Sequence, residues 1–309
     1  MQVDNHLPQI TSALSVRTKW QNETMSQDAV NAETKPDPGA NRSRTPTSKQ
    51  FLDYMGSGWA DSPTSEVTAS PVTEFTPNRR AKVAAAFAGE VIIIEAGPAA
   101  TRSNDTEYRY RPHSAFAHLT GWGAQTVPDS VLVIDARATE TKSILFLRET
   151  AGKGTSEFFA NSAIGEFWLG KRPSLEEVSA LLAIETRSLK EFEAFRETLA
   201  GNFITLEHSA LAEFVSELRL VKDSYEIAEM RKAVAASIKG FEEVAANLGK
   251  AKRHPRGERV VETAFFSEAR ANGNDLGYET IAAAGEHACT LHWIINDGPV
   301  RDGDLLLLD

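Results

Sequence analysis

The chain has 309 residues, 41% of them apolar and 25% charged, with a formal net charge of −10. That length admits about two domains of ordinary size, and 43 acidic against 33 basic residues argues against a nucleic-acid or anionic-membrane surface, which needs a basic footprint. No apolar run approaches the roughly 18–20 residues that span a bilayer, the N-terminus lacks the basic and apolar halves of a secretory signal, and a single cysteine, Cys289, rules out an internal disulfide; these features predict a soluble, cytoplasmic protein.

Residues 1–75 read as a disordered or weakly ordered tail. Ser, Thr and Pro supply 24 positions there, while Ile, Leu, Val and Phe supply 11. At about 15% large apolar residues, such a segment buries too little surface to offset its chain entropy. Within it, FLDYMGSGWAD (51–61) carries aromatics that suit docking onto the body; the plainer alternative is a solubilising tail.

From residue 76 to 215 the pattern becomes α/β. RRAKVAAAF, ending before Gly89, reads as a helix. VIIIEAG (91–97), SVLVIDA (130–136) and SILFLRE (143–149) are short continuous apolar runs, the pattern of buried strands. Between the first two lies TRSNDTEYRYRPHSAFAHLTGWG (101–123), read as a polar loop dense in charge. SLEEVSALL opens with Ser174 three residues before Glu177, a capping box. LKEFEAFRETL reads as a further helix and NFITL (202–206) as a last strand. Alternating strands and helices predict a three-layer α/β domain.

Residues 216–309 have another texture. Ile227, Met230, Val234, Ile238, Phe241, Ala245 and Leu248 recur at spacings of three and four, which predicts a long amphipathic helix with that face buried. It is expected to end near Gly249, with cations following. GERVVETAFFSEARANG reads as a second helix closed by Gly273. GYETIAAAG and ACTLHWI read as strands, and Gly285 and Gly303 as turn glycines. LLLLD (305–309) is apolar on both faces, so it is expected inside a covered sheet. Its closing carboxylate, Asp309, then needs a hydrogen bond, a cation or a metal. On an extended strand His287 and Cys289 share a face that His292 does not, which disfavours a metal cluster of the three, and Cys289 is expected to be a small buried residue.

ELRLVKDSYEIAEMRKA (217–233) resembles the linker and first helix of the pita-bread metallopeptidases. RVVETAFFSEARANGNDLGYETIAAAGEHACTLHW, Asn296 and RDGDLLLLD are similar to the stretch that leads to their first metal ligand. TRSNDTEYRYRPHSAFAHLTGW is similar to the N-terminal domain of the Xaa-Pro aminopeptidases, the aminopeptidase P family. The two motifs occur in the family order and span about 76–309. The resemblance implies an aminopeptidase-P-like α/β N-terminal domain followed by the first part of an α+β pita-bread domain. It implies a hydrolase for peptides with proline in second position, with two divalent ions, manganese by the hardness of the ligand set, and a homo-oligomer.

The resemblance further implies Asp309 as the first metal ligand and His292 as a residue that binds substrate or shuttles protons, work suited to an imidazole. Without the resemblance, His292 reads as a packed or hydrogen-bonded strand residue and Asp309 as a solvated strand end. Asp105, Glu107, Tyr108, Arg109 and Arg111 are open to two readings: a salt-bridged loop ordering its own domain, or a surface that helps shape an active site. Two alternatives to the aminopeptidase stand beside it, a prolidase-like dipeptidase and a non-catalytic pita-bread binding module. With one recognisable metal ligand present, the 309 residues are expected to be an inactive N-terminal fragment.

Overall fold

The apolar runs between residues 91 and 147 form the centre of a mixed sheet because each alternates two buried faces. A computed structural model describes residues 48–60, 66–104 and 106–309; the first part of the expected tail lies outside them. Helix α1 (Lys49–Met55) is capped by Ser48, whose hydroxyl accepts from the Phe51 amide, and α2 spans Thr76–Ala86. Strand β1 (Val91–Glu95) is followed by a short hairpin, β2 (Thr101–Ser103) and β3 (Thr106–Glu107), then by α3 (Ser114–Thr120). Strands β4 (Val131–Asp135) and β5 (Lys142–Leu147) lead to short helices α4 (Glu157–Ala160) and α5 (Glu166–Leu169). Helix α6 (Leu175–Leu182), β6 (Glu185–Ser188), α7 (Phe192–Thr198) and α8 (Ser209–Leu218) complete the first region.

The sheet order is β1-β4-β5-β6, antiparallel except for the β5–β6 pair. One face (Ile92, Ile94, Leu132, Ile134, Leu145, Leu147) packs on Val83, Phe116, Leu119, Leu182 and Leu211. The other (Val91, Ile93, Val133, Ile144, Phe146) packs on Phe192 and Leu199. Helices thus cover both faces, the expected three-layer α/β arrangement, and each fully buried Ile or Leu stabilises it by roughly 1.5–3 kcal/mol. NFITL does not form a strand; Ile204 alone bridges β1, its amide and carbonyl pairing with Val91 and Ile93. The segment read as one polar loop contains α3, whose Ala115, Phe116 and Leu119 are fully buried. A helix was not expected there because the flanking charges mask three apolar residues on one side.

The capping box at Ser174 and Glu177 forms as the sequence predicts. The aromatics of 51–59 pack on the body: Phe51 lies edge-on to Phe159 at 5.5 Å, and Trp59 to Phe158 at 5.6 Å. Helix α8 runs across the domain boundary drawn between residues 215 and 216.

Helix α9 spans Ser224–Arg253 and α10 spans Gly257–Asn272. Asp223 caps α9, its carboxylate accepting from the Glu226 amide at 3.0 Å. The same carboxylate takes two bonds from Arg79 on α2, at 2.9 and 2.6 Å, which ties the second region to the first. Helix α9 passes through Gly249 instead of ending there, because its amphipathic repeat and four further residues keep the backbone bonded as far as Arg253. The face it buries is also not the expected one. Ala236, Gly240, Val244 and Ala251 are its buried residues, whereas Ile227, Met230, Val234, Ile238 and Phe241 are exposed. The small residues win that contact because α10 approaches closely: a Cβ on Gly240 would lie 2.7 Å from the Phe265 ring.

Strands β7 (Ala282–Ala284) and β8 (Leu306–Leu308) form an antiparallel two-stranded ribbon. Leu306 and Leu308 pack with Val244, Val261 and Ala282, while Leu305 is 81% exposed. Leu306, Leu307 and Leu308 are each half-buried, so the strand is partly covered and not enclosed within a sheet. ACTLHWI is not a strand. Gly285–Cys289 forms a 3-10 turn and the chain continues irregularly past Asn296. Cys289 is exposed, not buried. Gly285 and Gly303 adopt positive φ, 57° and 90°, as turn glycines. No helix of the described residues is long and apolar enough to cross a membrane.

Candidate active site

Asp309 extends the β7–β8 ribbon by one residue pair: it exchanges backbone bonds with Ile281 at 2.8 and 3.0 Å. Its side chain borders a cleft of about 730 Å³ between α9, α10 and the 272–280 segment, with Lys232, Phe241, Phe265 and Tyr278 among the lining residues. The Tyr278 hydroxyl donates to Asp309 Oδ1. That bond and the carboxylate's charge push the Tyr278 phenol above its ordinary pKa. Oδ2 has no hydrogen-bond partner among the described residues.

The rim of the cleft is held from the N-terminal domain. Arg109 pairs with Asp275, and Arg111 donates to the Gly277 carbonyl at 3.0 Å. The Arg109 bond leads the effects that hold the Asp275 carboxyl below its usual range. These two arginines therefore bind beyond their own domain; of the charged loop, Asp105 lies outside the described residues.

His292 stands elsewhere. It is exposed in a turn that follows the 3-10 segment, and it is not among the residues lining the cleft beside Asp309. Its loop is pinned from beneath by a residue the sequence did not single out. Glu258, in the first turn of α10, is fully buried. One carboxylate oxygen accepts from the Ala284 amide and pairs with His287 Nδ1, both at 2.8 Å. The other accepts from Trp293 Nε1 at 2.9 Å and the Gly298 amide at 2.7 Å. Burial alone would raise this carboxyl; the bonds from Ala284, Trp293, His287 and Gly298 outweigh it and hold the pKa low.

Nearby, the His287 and Trp293 rings stack at 3.8 Å. Asn296, buried and at φ 47°, fixes the loop to the ribbon: its Oδ1 accepts from the Ala282 amide and its Nδ2 donates to the Thr280 carbonyl. Asn is among the few residues that tolerate that backbone conformation. Nothing in the sequence separated Glu258 from the other acidic residues of α10; the only signal was a Glu in a helix's first turn, where an N-terminal dipole accounts for it.

Among the described residues no group of three or more His, Cys, Asp or Glu is placed to hold a metal ion. The donor set on hand is Asp309, with one oxygen engaged by Tyr278. It fits one ligand of a metal site and does not by itself make a dinuclear centre.

Residues 76–204 match the family model for the aminopeptidase P N-terminal domain, and residues 228–309 match metallopeptidase family M24. Xaa-Pro aminopeptidase 1 of Streptomyces coelicolor is 40% identical over 280 residues, covering 85% of this chain and 56% of that protein. Xaa-Pro aminopeptidase 2 of the same organism is 36% identical over 279 residues, covering 85% and 58%. The chain thus spans a little over half the length of these relatives. Among solved structures, aminopeptidase P from Escherichia coli in a low-pH form superposes with a TM-score of 0.62 at 25% identity, over 79% of this chain and 59% of that one. Proline aminopeptidase P II from Yersinia pestis gives 0.58 at 26% identity, over 77% and 59%.

Proposed function

Because the chain belongs to the aminopeptidase P family, an aminopeptidase P N-terminal domain leading into an M24 metallopeptidase domain, we propose that the protein is a metal-dependent Xaa-Pro aminopeptidase. It releases the N-terminal residue of peptides whose second residue is proline. The observation that carries this reading is similarity that covers 85% of the chain, at 40% identity over 280 residues. Peptide, not nucleic acid or membrane, is the partner that suits the acidic chain. A cytoplasmic homo-oligomer completes the reading.

Asp309 is assigned as a ligand to one of two divalent ions, manganese in this reading because carboxylate-rich ligation suits a hard cation. Such ions, when bound, supply a hydroxide nucleophile and polarise the scissile carbonyl. Tyr278 orients the Asp309 carboxylate through Oδ1, and that carboxylate would hold the metal. His292 binds substrate or moves a proton as the peptide bond breaks. Arg109 and Arg111 hold the 275–277 rim from the N-terminal domain, so that domain helps shape the cleft. The described residues bring one ligand to the cleft, and the 309 residues alone are accordingly inactive in this reading.

The test compares peptides with proline or alanine in second position, using the full-length protein before and after chelation. Proline-dependent release that chelation abolishes and manganese restores is expected, with Asp309→Ala losing bound metal as well as turnover. Equal cleavage of both peptides, or full activity in the metal-free protein, overturns the reading. Two tightly held ions per 309-residue chain would overturn the inactivity of that chain.

A further inference from the structure

The 285–298 loop has no regular structure past Cys289, yet it leaves no slack. Ala284 N, at the end of β7 just before it, and His287 Nδ1, Trp293 Nε1 and Gly298 N along its length all reach one carboxylate 2.7–2.9 Å away. Four donors saturate the two oxygens of an ionised Glu, which accepts and cannot donate. The space around it is closed: a Cβ on Gly298 would lie 2.7 Å from the His287 ring and 2.9 Å from Glu258 Oε2. His292 is bracketed by two of these anchors, His287 and Trp293, while its own side chain stays exposed.

We propose that Glu258 is a positioning residue: by gathering Ala284, His287, Trp293 and Gly298 it fixes the loop in the arrangement that presents His292 to substrate. The proposal rests on the role given to His292 above. Glu258 touches no substrate. It acts through the loop, as an anion fully paired inside the fold, where removing its charge leaves buried donors unmet. Gln at this position keeps the shape but turns an NH2 group toward two of the four donors.

Two measurements test this. In the 309-residue chain, hydrogen exchange of the 285–298 amides is expected to quicken about tenfold or more in Glu258→Gln, the fold-change of roughly one buried hydrogen bond lost, while the β1–β4–β5 amides keep their rates. In the full-length protein, Glu258→Gln should lower kcat by about tenfold with KM little changed, and adding it to His292→Ala should cost almost nothing further, since residues acting as a unit are non-additive. Unchanged loop exchange, or losses that add in the double variant, overturns the proposal. Should Glu258→Gln fail to fold, Trp293→Phe removes a single donor; it is expected to loosen the same amides by a smaller factor, and unchanged exchange there counts equally against the idea. Normal kcat in His292→Ala would instead sink the role of His292 itself, whereas a slow His292→Ala beside a normal Glu258→Gln sinks only the positioning role.

Discussion

His118 lies on α3 where the two regions meet, facing Arg79 of α2, Arg219 beyond α8, and Asp223 and Glu226 at the start of α9. Burial first, and the Arg79 and Arg219 charges with it, pull its pKa from 6.5 down to about 4 against the opposing pull of Glu226 and Asp223. The unfolded chain takes up a proton near pH 6.5 that the folded protein refuses until about pH 4. Stability is therefore full above pH 6.5 and falls as pH drops through that window, by on the order of 3 kcal/mol in all. The urea midpoint should fall between pH 7 and 4.5, and His118→Gln should flatten that slope. A variant that tracks the parent at every pH would show that other groups carry the dependence. At this scale the sequence offers His292 and Asp309 as candidates through the motifs that carry the family resemblance. It could not display Glu258, whose partners lie 26 to 40 residues downstream, nor the pairing of Arg79 with Asp223, 144 residues apart.

Helix α9 illustrates what a periodic pattern does and does not specify. Spacings of three and four correctly gave a long helix, since backbone geometry alone sets that period. They did not give its buried side, because contact with α10 is decided by how closely two backbones can approach. Two glycines on this helix should answer oppositely to substitution. Gly249 has room, since a Cβ there would meet only Arg253 Nη1, 3.6 Å away, so Gly249→Ala should stabilise by about 1 kcal/mol through helix propensity. Gly240→Leu drives a branched side chain into the Phe265 ring and should destabilise by roughly 1–3 kcal/mol or more. Denaturant melts of the two variants check both signs; a Gly240→Leu chain as stable as its parent would mean that α9 and α10 can separate freely. The ACTLHWI segment failed for a related reason. Its apolar residues suit a strand, but the chain is anchored to Glu258 on both sides of it, through Ala284 and His287 before and Gly298 after, and by the Trp293 indole within it, which holds the segment as a loop.

Over the whole molecule, the first region is closed and the second is open. The sheet of the N-terminal domain has helices over both faces, whereas α9 turns Met230, Val234, Ile238 and Phe241 outward, each more than half exposed. A contiguous apolar stripe of this kind drives association or dye binding in water. The 309-residue chain should therefore bind a hydrophobic dye and sediment as more than a monomer. Met230→Lys with Ile238→Lys should reduce both effects and leave the melting temperature nearly unchanged, because neither side chain is buried in the chain itself. A monomeric parent that binds no dye would contradict this view of the surface. The stripe borders the cleft through Phe241, so the region's open side and its candidate chemistry adjoin.

The sequence by itself determined the three central strands of the first domain, β1, β4 and β5, the long helices of the second, the capping box at Ser174 and the family, and it offered His292 and Asp309 as candidates. Those features are local: a two-residue or 3.6-residue period, a cap, or a short motif is complete within a few positions. Only the tertiary structure decided which side of α9 is covered, that the arginines at 109 and 111 grip the far domain, and that a buried glutamate organises the loop of His292. Each of these depends on groups far apart in the chain meeting in space, where close approach and the need to pair every buried charge select partners that no local pattern encodes.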